Sequence, residues 1–382
     1  MMKKGKKTAL LVSGIAVAAG LVLAAAGLAL MGGDLTVLDT ETLDHHTHPI
    51  YGSVNNIDIQ TVDSNITLLP SPDGSCSVLC TESERRPHQV SLDNGTLTIR
   101  QTGSTVSYFG IWSEEPEVTV YLPEAHLQTL KLRSSSGDIT VREEFTFRSA
   151  RLETASGTVR FSGNVSENLE VDTSSGDVLL TGCQVGENAR VKTVSGSQTL
   201  SRLSATALET GSSSGELLLE NLTLRSVTGE TTSAGITITG CEVEEDISLD
   251  TSSGDMTLLD SGCGGSLRLE TTSGVSTLGS IRASRLSGQS SSGTIRLTDV
   301  VVEEEIGLNT VSGAVALDDS DADTLVICTS SGDVTGTLRT VKNFMTSTSS
   351  GEVRISDSDS HASPCRITTT SGDIVLTISP AE

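Results

Sequence analysis

From Ser134 onward the chain alternates apolar and polar residues in short runs. Each run breaks at a small polar phrase containing glycine and then resumes: SSSGDITV, TASGTVRF, TSSGDVLL, TSSGDMTL, TVSGAVAL, TTSGDIVL. The glycines of the phrase are Gly137, Gly157, Gly176, Gly196, Gly215, Gly254, Gly274, Gly293, Gly313, Gly332, Gly351 and Gly372. A thirteenth copy, TTSAGITI, fits the apolar pattern better with Ala234 in the glycine slot than with Gly235. Relative to the slot, positions −7 and −5 are mostly aliphatic, as in Leu169 and Val171 or Ile247 and Leu249. Positions +2 and +4 are aliphatic again, as in Val178 and Leu180 or Met256 and Leu258, while −3 and −1 carry Thr or Ser. Alternation with a period of two on both sides of the slot predicts strands, and the helical spacing i, i+3, i+4 does not persist.

The copies recur every 19 to 21 residues in one phase. A hairpin meander would alternate faces between successive strands. Coils of nearly constant length in one phase predict a single-chain parallel β-solenoid instead, each coil about 4.8 Å above the last, in a rod of roughly 60 Å. The −7 and −5 aliphatics then stack into rows, and the Thr and Ser of −3 and −1 form ladders able to bond neighbouring coils. At each bend a residue with φ > 0 is cheap only for Gly, and a small Ser at −1 fits inside the corner. A third, less regular stretch such as VEED (Val243–Asp246) or VVEEE (Val301–Glu305) closes each coil, its acids facing water.

The residue after the slot is acidic in seven copies: Asp138, Asp177, Glu216, Asp255, Asp333, Glu352 and Asp373. Up to Asp255 these fall on alternate coils, about 9.6 Å apart, which relieves repulsion but is too wide for a shared calcium ion. Calcium along this edge is best motivated at Asp333, Glu352 and Asp373, where consecutive coils are acidic. The nonapeptide calcium repeat is absent, and no other cofactor is expected.

The amino-terminal third is different. Residues 8–33, TALLVSGIAVAAGLVLAAAGLALMGG, carry no charge behind MMKKGKK. This reads as a single membrane-spanning helix with the Lys cluster held in the cytoplasm and the body outside. A cleaved signal peptide is the alternative, and both readings export the rest. Residues 34–50 read as a juxtamembrane linker. Its histidines, His45, His46 and His48, make either a metal-binding tract or a solvated stalk; no Cys or further His follows at ligand spacing, which favours the stalk. Residues 51–130 read as irregular β structure that covers the end of the rod, with Tyr108, Phe109, Trp112 and Tyr121 as capping aromatics and a sugar-stacking platform as their rival role. Residues 131–382 read as the regular solenoid of about thirteen coils. The chain ends at ITTTSGDIVLTISPAE without a capping helix, so an open edge on the last coil suggests a partner or self-association, with Pro380 blunting the final strand.

Composition narrows the function. Of 382 residues only 2% are aromatic, so the core must be filled by aliphatics. The net charge of −24 disfavours phosphate-backbone binding, and nucleic acid is not an expected partner. Seven cysteines (Cys76, Cys80, Cys183, Cys241, Cys263, Cys328, Cys365) lack any CxxC pair and read as mostly buried thiols without a disulfide framework.

The segment VTVYLPEAHLQTLKLRSSSGDITV and the SSGD phrases after it resemble the bacterial adhesin-like β-strand-repeat proteins known as the toast-rack family, over residues 51–382. The resemblance implies a β-helix on an envelope protein, in some relatives beside envelope-stress signalling, and transfers no catalytic residue. Three functions are therefore in view. The first is a non-enzymatic, membrane-anchored surface rod, adhesin-like or scaffolding, on the bacterial cell surface. The second is an accessory or sensor of envelope-stress signalling. The last is a polysaccharide-active enzyme, which needs carboxylates converging in a cleft. The coils carry no inserted loop to build one, and His88, His126 and His361 are isolated in the sequence.

Overall fold

The computed structural model describes residues 42–103, 115–123 and 125–378. The expected membrane helix of residues 8–33, three of the capping aromatics (Tyr108, Phe109, Trp112) and Pro380 lie outside them. Among the described residues there is no helix, and none long and apolar enough to cross a membrane. The chain forms an all-β, predominantly parallel solenoid of about thirteen turns.

Each coil has three faces. In the coil around Gly176 they are the strand Leu169–Thr173, the strand Val178–Thr181 and a short bridge at Gln184 and Val185. Side chains at −7, −5, +2, +4, +7 and +9 point inward; here they are Leu169, Val171, Val178, Leu180, Cys183 and Val185, all buried. Cys183, Cys241 and Cys263 are thus small core residues of the third face, and Cys365 is a −7 residue in a Leu row. All seven cysteines are free thiols, six of them buried, and burial pushes Cys183 and Cys365 up to about 12. In the early coils the rings of Phe145, Phe147 and Phe161 fill the interior, with centroids 6.2 and 6.3 Å apart.

The slot glycines are needed for a reason other than the expected one. None has φ > 0. A Cβ placed on any of them would lie 1.7–2.1 Å from the carbonyl oxygen of the slot residue stacked beneath, so the backbones touch and leave no room for a side chain. Ala234 does occupy the slot, stacked between Gly215 and Gly254, while Gly235 follows it. The serines at −1 are exposed rather than tucked inside the bend. The φ > 0 corner exists six residues downstream, in eight consecutive coils: Gly182, Arg202, Asn221, Gly240, Asp260, Ser280, Asp299 and Asp319.

Both ends depart from simple winding. At the amino-terminal end the coil made by β2 (Asn56–Gln60) and β3 (Asn65–Pro70) stacks directly on β8 (His126–Ser134) and β9 (Ile139–Val141). The strands between them in sequence pass outside that coil: β6 (Thr96–Gln101) pairs with β2 and β7 (Glu117–Leu122) with β3. The ladder therefore runs across the boundary expected at residue 130. Beyond it lie antiparallel strands, with β4 (Cys76–Glu82) on β7, β1 (Asp44–Ile50) on β4, and β5 (His88–Asp93) on β6. Residues Asp44–Ile50 are thus an edge strand rather than a free stalk.

The carboxy-terminal end is also exchanged. Strand Pro364–Thr368 lies between Leu325–Cys328 and Asn343–Ser347, and Ile374–Ile378 lies between Val334–Leu338 and Val353–Ile355. The last coil is internal, and the edge expected on it is carried by the coil before it in sequence. The crossing is fixed by Lys342, buried, whose Nζ lies 2.7 Å from Asp321 Oδ1 and donates to Ala322 O.

Two kinds of glycine should behave differently on substitution. Gly254→Val, whose Cβ would sit 1.8 Å from Ala234 O, is expected to lower the unfolding free energy by more than about 2 kcal/mol. Gly182→Ala has open space and only an unfavourable φ of +71°, and should cost about 1 kcal/mol. Urea midpoints at a constant slope measure both.

Candidate functional sites

The SSGD edge is explained by hydrogen bonding. The buried hydroxyl at −3 accepts from the slot N–H in nine coils, as in Thr173 Oγ1 from Gly176 N at 3.0 Å and Thr251 Oγ1 from Gly254 N at 3.0 Å. This bond lies within one coil; the expected inter-coil hydroxyl contacts occur at particular positions, as where Thr61 Oγ1 donates to Ser134 Oγ at 3.0 Å and Thr231 Oγ1 to Thr251 Oγ1 at 2.8 Å. The aspartate at +1 makes the inter-coil tie: Asp138 Oδ1 accepts from Thr158 N, Asp177 from Ser197 N, and Asp255 from Val275 N, at 2.7–2.9 Å. Alternate acids therefore serve as acceptors for the coil above. The trio singled out for calcium is tied the same way. In stacking order, Asp333 Oδ1 accepts from Asp373 N at 2.9 Å and Asp373 Oδ1 from Glu352 N at 2.8 Å, while both Glu352 oxygens receive Arg354. The Asp333 and Asp373 carboxylates thus tie neighbouring coils, whereas the Glu352 carboxylate pairs with Arg354 on its own coil.

A polar groove runs along the next face, floored by the residues at −4 and −3 and walled by the serines of the corner. Its first half carries an ion-pair ladder. Arg133 Nε donates to Glu153 Oε2 at 2.8 Å, Arg151 joins Glu153 to Glu170, Arg190 lies between Glu170 and Glu209, and Lys192 Nζ sits 2.8 Å from Glu209 Oε1. The Lys192 hydrogen bond holds Glu209 below the usual carboxylate range. Burial works to raise Glu153, but hydrogen bonds from Arg151 and Arg133 outweigh it and hold that carboxyl low. Further along, the groove becomes acidic and then neutral, through Glu230, Asp250, Glu270, Gln289 and Asn309.

The third feature was hidden in the sequence. His88 is not isolated: its Nδ1 lies 2.7 Å from Glu82 Oε2 and its Nε2 lies 3.0 Å from Ser64 Oγ. Glu82 Oε1 lies 3.0 Å from His46 Nδ1 on β1, and Cys80 is the cross-strand partner of His46. Burial is the main force lowering His88 below the ordinary histidine value, opposed by Glu82. Burial, helped by the charge of Glu82, pushes the Cys80 thiol up to about 12. Ser64, His88 and Glu82 have the order of a hydrolytic Ser–His–acid relay, but the Ser64 residue and the His88 side chain are both 0% exposed. An acyl donor has no access to that hydroxyl, so the relay is structural in this form. His126 and His361 are exposed and apart from it. Tyr121 is half-buried on β7, its backbone paired with Leu69 and Ser77.

Comparison with known proteins places this architecture. The family model described as Toastrack DUF4097 matches residues 54–240 and again 226–381. The chain belongs to the Toastrack family. Among solved structures, this Toastrack chain is similar to a candidate cell-adhesion protein from Clostridium sporogenes, at 8% identity, 88% of this chain and 100% of that one, with a TM-score of 0.23. A candidate adhesin from Bacteroides fragilis shows 12% identity over 88% and 97% of the two chains, TM-score 0.23. One from Parabacteroides distasonis shows 12% identity over 88% and 98%, TM-score 0.28. Likeness at this level assigns no ligand. No curated protein matches the Toastrack chain.

Removing one corner hydroxyl tests the edge. Thr251→Val keeps the shape but leaves the buried Gly254 N–H without its acceptor, and should cost about 1–3 kcal/mol. Thr251→Ser, which retains the acceptor, should recover most of that loss in the same denaturation experiment.

Proposed function

We propose that this Toastrack protein is a non-enzymatic, membrane-anchored β-solenoid on the bacterial cell surface, where it acts as an adhesin-like or scaffolding rod. The observation that carries this reading is the polar groove, which extends over successive coils with no break in the ladder beneath it. Such a surface offers many weak, repeated contacts to an extended partner rather than one reaction centre. Many of the carboxylates are engaged elsewhere: +1 acids such as Asp138 and Asp333 with backbone N–H groups, and the groove acids Glu153, Glu170 and Glu209 with Arg and Lys, while Glu230 and Asp250 line the acidic stretch of the groove. The uncharged run of residues 8–33 behind the Lys cluster supplies the anchor and places the rod outside the membrane.

A second reading, an accessory of envelope-stress signalling, draws support from the position of the His46–Glu82–His88 cluster. It lies at the amino-terminal end of the rod and involves β1, the strand that follows residues 8–33 in sequence, from which an event could be passed to a membrane partner.

Both are tested in the native host with an epitope at the carboxy terminus. The surface rod predicts that protease added to intact cells removes the epitope, that deleting residues 8–33 frees the chain from membranes, and that deleting the gene reduces attachment without altering stress-gene transcription. An epitope protected in intact cells contradicts surface display. A changed stress regulon with unaltered attachment selects the second reading.

A further inference from the structure

Among the described residues, Cys80, Glu82 and His88 form the one group of Cys, His, Asp and Glu whose ligand atoms all lie within 4.8 Å of one another. All three are buried. A tetrahedral zinc site needs such donors roughly 3.5 Å apart, with Zn–S near 2.3 Å and Zn–N near 2.0 Å, so only a small closing movement separates the present arrangement from a site. The surroundings match what such a site requires. Ser64 Oγ lies 3.0 Å from His88 Nε2 and fixes the ring with Nδ1 turned toward Glu82. His46 Nδ1 lies 3.0 Å from the other carboxylate oxygen and sets its plane. Outer contacts of this kind orient metal ligands and tune their basicity. An independent sign comes from the same face of β1. His48 Nε2 is the one buried side-chain nitrogen among the described residues that lacks a hydrogen-bond partner, and His48 is close enough to influence His88 electrostatically.

We propose that Cys80, Glu82 and His88 bind one zinc ion, at the junction between the edge strand β1 and the solenoid. In the occupied site zinc takes His88 Nδ1, one Glu82 oxygen and Cys80 Sγ. The present His88–Glu82 hydrogen bond is replaced by two metal bonds, the Cys80 proton passes to solvent, and His88 Nε2–H donates to Ser64 Oγ. The fourth position takes water, a ligand that His48 Nε2 can hydrogen-bond. Zinc suits the mixed sulfur, nitrogen and oxygen set, whereas calcium takes oxygen alone. The consequence is mechanical. The metal ties β4 to β5, and through the His46–Glu82 contact it braces β1, the strand that follows the anchor segment. The inference stands apart from the surface role.

The test uses the full chain in detergent, stripped with chelator and held with a non-thiol reductant. Zinc chloride titrated against a chromophoric chelator should show one tightly bound equivalent. Cobalt chloride should give a thiolate-to-metal charge-transfer band in the near ultraviolet. Cys80→Ser should abolish that band, and His88→Gln should weaken zinc binding at least tenfold. Cys328→Ser, at the half-buried outward thiol, should leave both unchanged. Absence of the band in the unaltered chain, or its persistence in Cys80→Ser, overturns the site. Should those variants misfold, zinc K-edge absorption on the unaltered chain decides: one sulfur in the metal shell supports the assignment, and a shell of nitrogen and oxygen alone refutes it.

Discussion

The structure depends on one close approach. At each of the twelve glycine bends the carbonyl oxygen of the residue stacked beneath lies where a Cβ would be, so successive backbones stack in direct contact, and only the bend at Ala234 accommodates a methyl. That contact fixes the height and the phase of each coil. Once phase is fixed, the aliphatics at −7, −5, +2 and +4 superpose on their counterparts, and a core almost without aromatic rings can be filled by rows of Leu, Ile and Val. A one-residue slip would turn each row outward, so the slot and the rows enforce the same register.

Such proximity raises the polar demands of the backbone, and the phrase around the glycine meets them. The −3 hydroxyl takes the slot N–H, and the +1 aspartate takes the N–H of the coil above. One five-residue phrase therefore satisfies donors in two coils. Where an interior position turns polar, its partners turn polar with it: Gln198, fully buried, donates to Gly211 O at 2.7 Å and Thr193 Oγ1 at 3.2 Å and receives the Thr210 hydroxyl. The two ends use a different device. At each, the segment nearest the end of the ordered ladder in sequence is covered by a strand from further along or further back, and antiparallel strands or a buried Lys–Asp pair complete the cover. At the amino-terminal end this covers the first coil, whereas at the carboxy-terminal end it buries the last coil and leaves the edge on Asn343–Ser347 and Val353–Ile355.

How much of this was readable without coordinates follows from what each feature requires. The parallel coils, the slot of Ala234 and the burial of Cys365 were legible, because they depend on residue type at a fixed phase. The purpose of the glycine was misjudged: a backbone contact and a left-handed bend both demand Gly, and only the structure separates them. The true φ > 0 corner was missed although it left a signal: six of its eight residues are Gly, Asn or Asp, the types that favour φ > 0, and only Arg202 and Ser280 break the pattern. The exchange of the last two coils was hidden, because interchangeable phrases say nothing about stacking order. His46 and Glu82 are 36 residues apart, and no local spacing rule reaches that far; a motif search confined to neighbours leaves the cluster as a stalk histidine and a lone His88.

The stacking is tested most directly by distances between spin labels at exposed corner serines, in a chain whose half-buried Cys328 is replaced by Ser. Ser174 and Ser213 lie two coils apart, and Ser174 and Ser291 six, so their backbones should be separated by about 10 Å and about 29 Å along the rod. Pulsed electron–electron resonance across such pairs should give separations that grow linearly with coil number. Distances that fail to grow with the number of intervening glycine phrases would contradict the stacked slot and the solenoid built on it.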